Sequence, residues 1–167
     1  MEMKPNEIIS KLKKSKRLTN DDFLDVSLWN LYENLHNLDI TRIKNPVDFL
    51  NQYFELLDDD NHGDLQQSQR GFIEDFVELI GKKTYVDILL NKSVFIIKKA
   101  RFFYSGLFQR LLLSNSTRNI LFELIIKKSD EIKKTHVLLL SEIMAELEKQ
   151  NEIDDLEICQ ELYYVLE

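Results

Sequence analysis

Apolar residues recur at steps of three and four along most of the chain, which is the spacing of one face of an α-helix. The pattern predicts about eight helices joined by short loops. They cover residues 6–17, 19–37, 46–57, 64–80, 93–113, 118–128, 130–150 and 152–166, with a further short helix over 84–90. A strand is the alternative for residues 84–97, where β-branched side chains are frequent, although no alternation or hairpin turn follows.

Residues that favour helix ends stand at several of these boundaries. Asn45 precedes Pro46, a pair typical of an N-cap followed by the first helical position. Gly81 is expected to end the helix over 64–80, because glycine adopts the backbone conformation that closes a helix. The remaining N-cap candidates are Ser129 and either Thr19 or Asn20.

The most apolar stretch, residues 93–113, is expected to form one central helix that other helices surround. Its aromatic residues are Phe95, Phe102, Phe103, Tyr104 and Phe108. Basic residues interrupt it at Lys98, Lys99, Arg101 and Arg110, so it does not qualify as a membrane-spanning helix. We therefore predict a core helix and no membrane association.

Composition narrows the fold class. The chain has only four glycines and two prolines in 167 residues, whereas sheets need frequent turn residues. We predict an all-α, single-domain multi-helix bundle over residues 1–167. From residue 84 onward the helices can also be read as antiparallel pairs of roughly forty residues, as in helical-repeat proteins, although no signature residues repeat.

Charge divides the chain into four segments. Residues 1–18 carry a net charge of +4, residues 19–81 −11, residues 82–134 +8 and residues 135–167 −8, for a total of −7. One interpretation is that the acidic helices neutralise the basic middle within the molecule. The other is that an acidic face remains exposed and attracts a basic partner.

The loop from Asp58 to Asp64 is the densest acidic segment. Asp58 and Asp60 fit positions 1 and 3 of an EF-hand loop, but Gln69 stands at position 12, where a bidentate Glu is required. A calcium loop, a solvated turn and a contact patch for a partner are the three interpretations. Carboxylates after a helix C-terminus oppose the helix dipole, so local helix stability does not explain them.

No residue pattern names a reaction, so we predict a non-enzymatic protein without cofactor or metal. The chain lacks a nucleophile elbow, a phosphate-binding loop and a dinucleotide fingerprint. Its histidines form no metal-binding motif, and His136 is expected at the surface or at a boundary. Cys159, the only cysteine, is expected to be a buried inert thiol. A single cysteine and a start without a signal-peptide pattern predict a cytoplasmic protein.

Two further residues carry structural expectations. Trp29, the only tryptophan, is expected to pack in the core. Gly71 lies inside a predicted helix, where it costs about 1 kcal/mol relative to Ala. We therefore expect a neighbouring element to approach closely at Gly71.

The basic middle offers an alternative role in nucleic-acid binding. Its candidate phosphate contacts are Lys98, Lys99, Arg101, Lys127, Lys128, Lys133 and Lys134. The acidic chain as a whole would repel phosphate, so nucleic acid is not the favoured partner.

In size, acidity, Lys/Asn/Ile/Leu-rich helical composition and acidic loops such as residues 58–64, the chain resembles the immunity proteins of bacterial toxin systems, including contact-dependent growth inhibition. The resemblance covers the whole chain but includes no motif. It implies an inhibitor that covers the basic surface of a cognate toxin domain, such as a nuclease. The candidate partner-binding residues are Asp58, Asp59, Asp60, Asp64, Glu74, Asp75 and Glu78. The alternatives are a helical scaffold or adaptor, and a nucleic-acid-associated regulator.

Overall fold

The computed structural model describes residues 4–15 and 26–167. Within these ranges there are nine α-helices and no strand, which confirms the all-α class. The α-helices are α1 (Pro5–Lys14), α2 (Val26–His36), α3 (Pro46–Tyr53), α4 (Gly63–Ile80), α5 (Lys82–Ile97), α6 (Arg101–Leu113), α7 (Asn115–Ile125), α8 (Asp130–Gln150) and α9 (Ile153–Leu166). Short 3-10 helices span Ile40–Arg42 and Phe54–Leu56. The predicted helix start at Thr19 or Asn20 lies outside the described residues.

The boundary residues act as their types predict. The Asn45 side chain accepts a hydrogen bond from the backbone N–H of Asp48 at 3.1 Å, which caps α3. Ser129 Oγ accepts the backbone N–H of Ile132 at 3.4 Å at the start of α8. Gly81 follows α4 with a φ of 82°, a value that L side chains rarely adopt.

One cluster of buried apolar side chains runs from Ile8 in α1 to Leu162 in α9. The apolar face of α1 is fully docked, since Ile8 is 2 % exposed and Ile9 1 %. Trp29 packs against the same cluster from a half-buried position, as predicted. Burial of these side chains supplies the main favourable term in folding.

The predicted single central helix over residues 93–113 is wrong. The chain leaves the helix after Ile97 and starts α6 at Arg101, with Ala100 at φ −136° and ψ 55° between them. The segment 84–97 is helical throughout and belongs to α5, so the strand alternative is also wrong. Two of the aromatic side chains face outward, since Phe102 is 80 % exposed and Phe95 39 %. This stretch is therefore apolar without being buried on all sides.

A carboxylate from elsewhere in the chain stabilises this break. Asp59 accepts hydrogen bonds from the backbone N–H groups of Phe102 and Phe103, at 2.9 and 3.0 Å. The Asp59 N–H in turn donates to the carbonyl of Lys99 at 3.0 Å. The first N–H groups of a helix have no acceptor within the helix, and the Asp59 carboxylate accepts two of them in α6. A continuous helix would satisfy these N–H groups internally and leave Asp59 without donors.

The C-terminal helices α8 and α9 form an antiparallel pair. Asn151, in the left-handed conformation at φ 59°, reverses the chain between them. The N–H of Glu152 donates to the carbonyl of Leu147 at 3.1 Å, which completes the turn. The interpretation of the preceding helices as structural repeats stays a prediction. In the described ranges, no helix combines the length and apolar character that crossing a bilayer requires.

Candidate functional site

The structure separates the seven predicted contact residues into structural and exposed ones. Asp58 is 7 % exposed, and its carboxylate accepts the backbone N–H of Asp60 at 3.0 Å. Asp59 caps α6 with both carboxylate oxygens. Glu74 forms an ion pair with Arg110 of α6. These three carboxylates are engaged within the chain. Asp60, Asp64, Asp75 and Glu78 are the exposed members of the set.

Three of the exposed carboxylates share one face of α4. Asp64, Asp75 and Glu78 fall within a narrow sector of the helix, opposite the buried Leu65, Ile73 and Phe76. We call Asp64, Asp75 and Glu78 the acidic stripe. From Asp64 to Glu78 the stripe is about 21 Å long, at about 1.5 Å per residue.

The acidic stripe is not neutralised within the described part of the chain. Asp75 and Glu78 make no ion pair with any residue that the structure describes. The ionic contact of Asp64 is with the ring of His62, at 3.8 Å. The stripe therefore presents negative charge outward along the length of α4.

The ion pairs show how far the acidic segments neutralise the basic middle of the chain. Between residues 82–134 and the acidic segments, the ion pairs of the described residues are Arg110–Glu74 and Arg101–Glu142. The latter is bidentate, at 2.9 and 2.6 Å. The other ion pairs of the basic middle stay within it: Lys83 and Lys127 with Glu123, Lys128 with Asp87, and Lys133 with Asp130. Among residues 4–15 and 26–167, internal neutralisation is thus local, and Asp75 and Glu78 take no part in it.

These pairs also bear on the candidate phosphate contacts. Arg101, Lys127, Lys128 and Lys133 each have a carboxylate within ion-pair distance. Lys127, and after it Lys83, hold the pKa of Glu123 below its ordinary value, so this carboxylate remains charged. A phosphate backbone would have to displace such carboxylates, which weighs against a nucleic-acid interface here.

A polar groove lies beside the stripe, between α4 and α6. Its volume is about 480 Å³, and its lining residues are Gly63, Gln66, Gln67, Arg70, Gly71, Glu74 and Arg110. A Cβ atom at Gly71 would meet no other atom within 4 Å, so the predicted close approach at this glycine is wrong. The close approach occurs at Gly106 of α6, where a Cβ would lie 3.2 Å from Nη2 of Arg70. Gly71 instead leaves the wall of the groove without a side chain.

Arg70 is held in the groove by packing. Its guanidinium carbon lies 5.5 Å from the centre of the Phe103 ring, within the range of a cation–π contact. Its Nε atom is buried and has no hydrogen-bond partner among the described residues. Arg110, on the facing helix, forms an ion pair with Glu74.

The predicted surface or boundary position of His136 is wrong. His136 is fully buried, at 0 % exposure, between α6 and its own helix. Its Nδ1–H donates to the carbonyl of Ile132 at 2.7 Å, and its Nε2 accepts the hydroxyl of Tyr104 at 2.8 Å. Burial lowers the pKa of His136 to about 4, so the ring is neutral near pH 7. No sequence signal indicates this burial, because His136 stands between Thr135 and Val137 on a helix of mixed polarity.

The remaining candidate chemistry is structural. Cys159 is buried, as predicted, and burial raises the pKa of its thiol to about 11, with Asp155 adding to the effect. His36 lies between Ser68 and the Tyr53 hydroxyl, at 2.6 Å from each, and burial lowers its pKa to about 4. In the ranges that the structure describes, no three His, Cys, Asp or Glu residues are grouped to hold a metal ion.

Sequence reasoning missed two features of this surface. The first is that Arg70 and Arg110, far apart in sequence, line the same groove between α4 and α6. The second is the exposure of Phe102, hidden by its position in the most apolar stretch. The sequence signal that could have indicated the groove is Gly71, a glycine inside a helix where no neighbouring atom would exclude a Cβ.

Comparison with family models, curated proteins and solved structures finds no match for this chain. Function is therefore inferred from the surface geometry and the sequence.

Proposed function

We propose that this protein is a non-enzymatic inhibitor of the immunity type, which binds a cognate toxin domain through the acidic stripe of α4. The observation that carries the proposal is that Asp75 and Glu78 are exposed without an ion pair among the described residues. Carboxylates placed on one helix face attract a basic surface and orient its approach. Asp60 is exposed in the loop that precedes α4.

The predicted contact set is accordingly divided. Asp60, Asp64, Asp75 and Glu78 are the proposed contacts, because their side chains are exposed. Asp58, Asp59 and Glu74 are engaged within the chain: Asp58 accepts the N–H of Asp60 inside the loop, Asp59 joins the loop to the start of α6, and Glu74 pairs with Arg110 beside the stripe. A partner would thus meet carboxylates on a rigid helix, which lowers the entropic cost of binding.

A basic toxin domain, such as a nuclease, is the proposed partner class. A surface that binds nucleic acid carries clustered Lys and Arg, which complement carboxylates spaced along a helix. The resemblance in size, acidity and composition to bacterial immunity proteins points to the same class. Covering that basic surface would exclude the nucleic acid without any chemistry by the inhibitor.

The test compares two variants with equal charge changes. Asp64→Asn/Asp75→Asn/Glu78→Gln removes the stripe, and Glu131→Gln/Glu148→Gln/Glu157→Gln removes three exposed carboxylates of α8 and α9. The candidate partner to test is the C-terminal domain of a large secreted protein encoded immediately upstream, and association rates are measured at rising ionic strength. We expect the stripe variant to associate on the order of tenfold more slowly and to lose most of its salt dependence. The α8–α9 variant should resemble the wild type.

Two results would refute the proposal. One is equal loss of association in both triple variants, which would indicate net charge rather than a defined surface. The other is the absence of binding and of protection when the toxin domain and this protein are produced together.

A helical adaptor is the second candidate, favoured by apolar residues on the outer side of α8 and α9. Leu138 is 63 % exposed, Tyr164 73 % and Val165 52 %. A shallow apolar groove of about 520 Å³ lies here, between Leu138 and Leu166. Binding through this surface would respond little to salt, which distinguishes it from association through the stripe.

A further inference from the structure

We infer that the groove between α4 and α6 binds a carboxylate group through Arg70 and Arg110. This site adjoins the acidic stripe, and its ligand carries the charge opposite to that of the partner proposed for the stripe. Three observations support it: the Nε of Arg70 is buried without a hydrogen-bond partner, the groove carries a net positive charge, and open space lies beside two glycines.

Arg70 lacks the acceptor that a partly buried guanidinium ordinarily has. It forms no ion pair in the described part of the chain, and its Nε is buried without a hydrogen-bond partner. A buried donor without an acceptor is destabilising. The Nη atoms of Arg70 are not buried in this way, and they are the donors that an acceptor in the groove would meet.

The guanidinium is already oriented. Phe103 lies 5.5 Å from its central carbon on one side, and the backbone of Gly106 approaches Nη2 on another. Packing of this kind limits the side-chain freedom that binding would otherwise remove. A planar guanidinium fixed in this way favours an acceptor with two oxygens in one plane, which a carboxylate supplies.

The charge of the groove favours a monoanion. Arg70 and Arg110 contribute two positive charges, and Glu74, paired with Arg110, contributes one negative charge. A carboxylate balances the remaining positive charge. A phosphate dianion would bring an excess charge next to the Glu74 carboxylate.

The glycines leave room for the ligand. Gly63 and Gly71 both line the groove, and a Cβ at either would meet no atom within 4 Å. The groove, at about 480 Å³, is large enough for a side chain or a small organic acid. The carboxylate could thus belong to a protein side chain or to a free acid, which share the same recognition chemistry.

The test follows the Nε–H resonance of Arg70 and the amide of Gly71 by NMR in the isolated protein. Acetate replaces chloride stepwise at constant ionic strength, and parallel titrations use glutamate with both its amino and its α-carboxyl group blocked, or inorganic phosphate. We expect a saturable shift with the carboxylates. Tighter binding of the blocked glutamate would assign the site to a protein side chain, and tighter binding of acetate to a free acid.

Three variants complete the test. Arg70→Gln should weaken carboxylate binding, measured by the shift of the Gly71 amide, at least tenfold. Arg70→Lys keeps the charge and the packed stem but loses the planar fork, so it should weaken the shift by an intermediate amount. Arg101→Gln is the matched control, because Arg101 already has Glu142 as its carboxylate partner, and it should leave the titration unchanged.

A lack of any saturable shift at Arg70, or an equal shift in Arg70→Gln, would overturn the site. Saturation with phosphate but not with the carboxylates would overturn the assignment of the ligand. Because no toxin domain is present, failure here would leave the proposed inhibitor function standing, and the reverse also holds.

Discussion

The carboxylate of Asp59 accepts the backbone N–H of Phe102 at 2.9 Å, although the two residues are 43 positions apart in sequence. An acidic loop thereby becomes the N-terminal cap of a core helix. The contact stabilises the break in the most apolar stretch of the chain, at residues 98–100. It also gives one aspartate of this loop a structural role that local helix stability did not predict.

Replacing Asp59 should therefore destabilise the protein. Asp59→Ala removes both acceptors at the start of α6, and we expect a loss of about 1–2 kcal/mol in the free energy of unfolding. Asp75→Ala, on the exposed face of α4, is the control and should change stability by less than about 0.5 kcal/mol. Urea unfolding of both variants measures the difference. Equal stabilities would mean that the cap contributes nothing.

Adjacent phenylalanines on α6 provide a second comparison. Phe103 is 1 % exposed, whereas Phe102 is 80 % exposed. Phe103→Ala should cost about 3–5 kcal/mol, because it leaves a cavity and removes the ring beneath Arg70. Phe102→Ala should cost less than about 0.5 kcal/mol. Chemical denaturation that ranked the two variants in the opposite order would contradict the helix orientation.

The helical glycines should respond differently to the addition of a methyl group. Gly71→Ala is expected to raise stability by up to about 1 kcal/mol, because the position is helical and open. Gly106→Ala gains the same helix propensity but places a Cβ 3.2 Å from Arg70, so its gain should be smaller or absent. Thermal unfolding of the two variants, measured side by side, checks the expected order.

Stability should fall in mild acid because of the buried histidines. Burial lowers the pKa of His136 to about 4, below the ordinary value of about 6.5, so the unfolded chain takes up the proton first. The stabilisation is complete above pH 6.5 and is lost as the pH falls toward 4, up to about 3 kcal/mol. His36 has a lowered pKa for the same reason and adds to the slope.

The His136→Gln variant isolates the contribution of His136. It removes this proton uptake and should lose less stability between pH 7 and pH 5 than the wild type does. Urea unfolding at both pH values measures the two differences. Parallel pH dependence in wild type and variant would show that the buried ring does not govern acid sensitivity.

Local signals in the sequence determined most of the helices. Asn45 before Pro46, Ser129 before α8 and Gly81 after α4 all act within one turn of the chain. The same holds for the burial of Ile8 and Cys159, since a periodic apolar face must pack inward. The scarcity of glycine and proline excluded a sheet-rich fold in the same local way, because single residues of these types form the turns that sheets need.

Tertiary structure alone decided the features that join distant residues. The break before α6 depends on Asp59, the burial of His136 on Tyr104, and the groove on Arg70 meeting α6. Residue type and periodicity carry no information about which helices become neighbours, and a hydrogen bond between them is decided only by their packing. The sequence thus determined which residues form helices and where charge accumulates. Packing determined which carboxylates are used inside the protein and which remain on its surface.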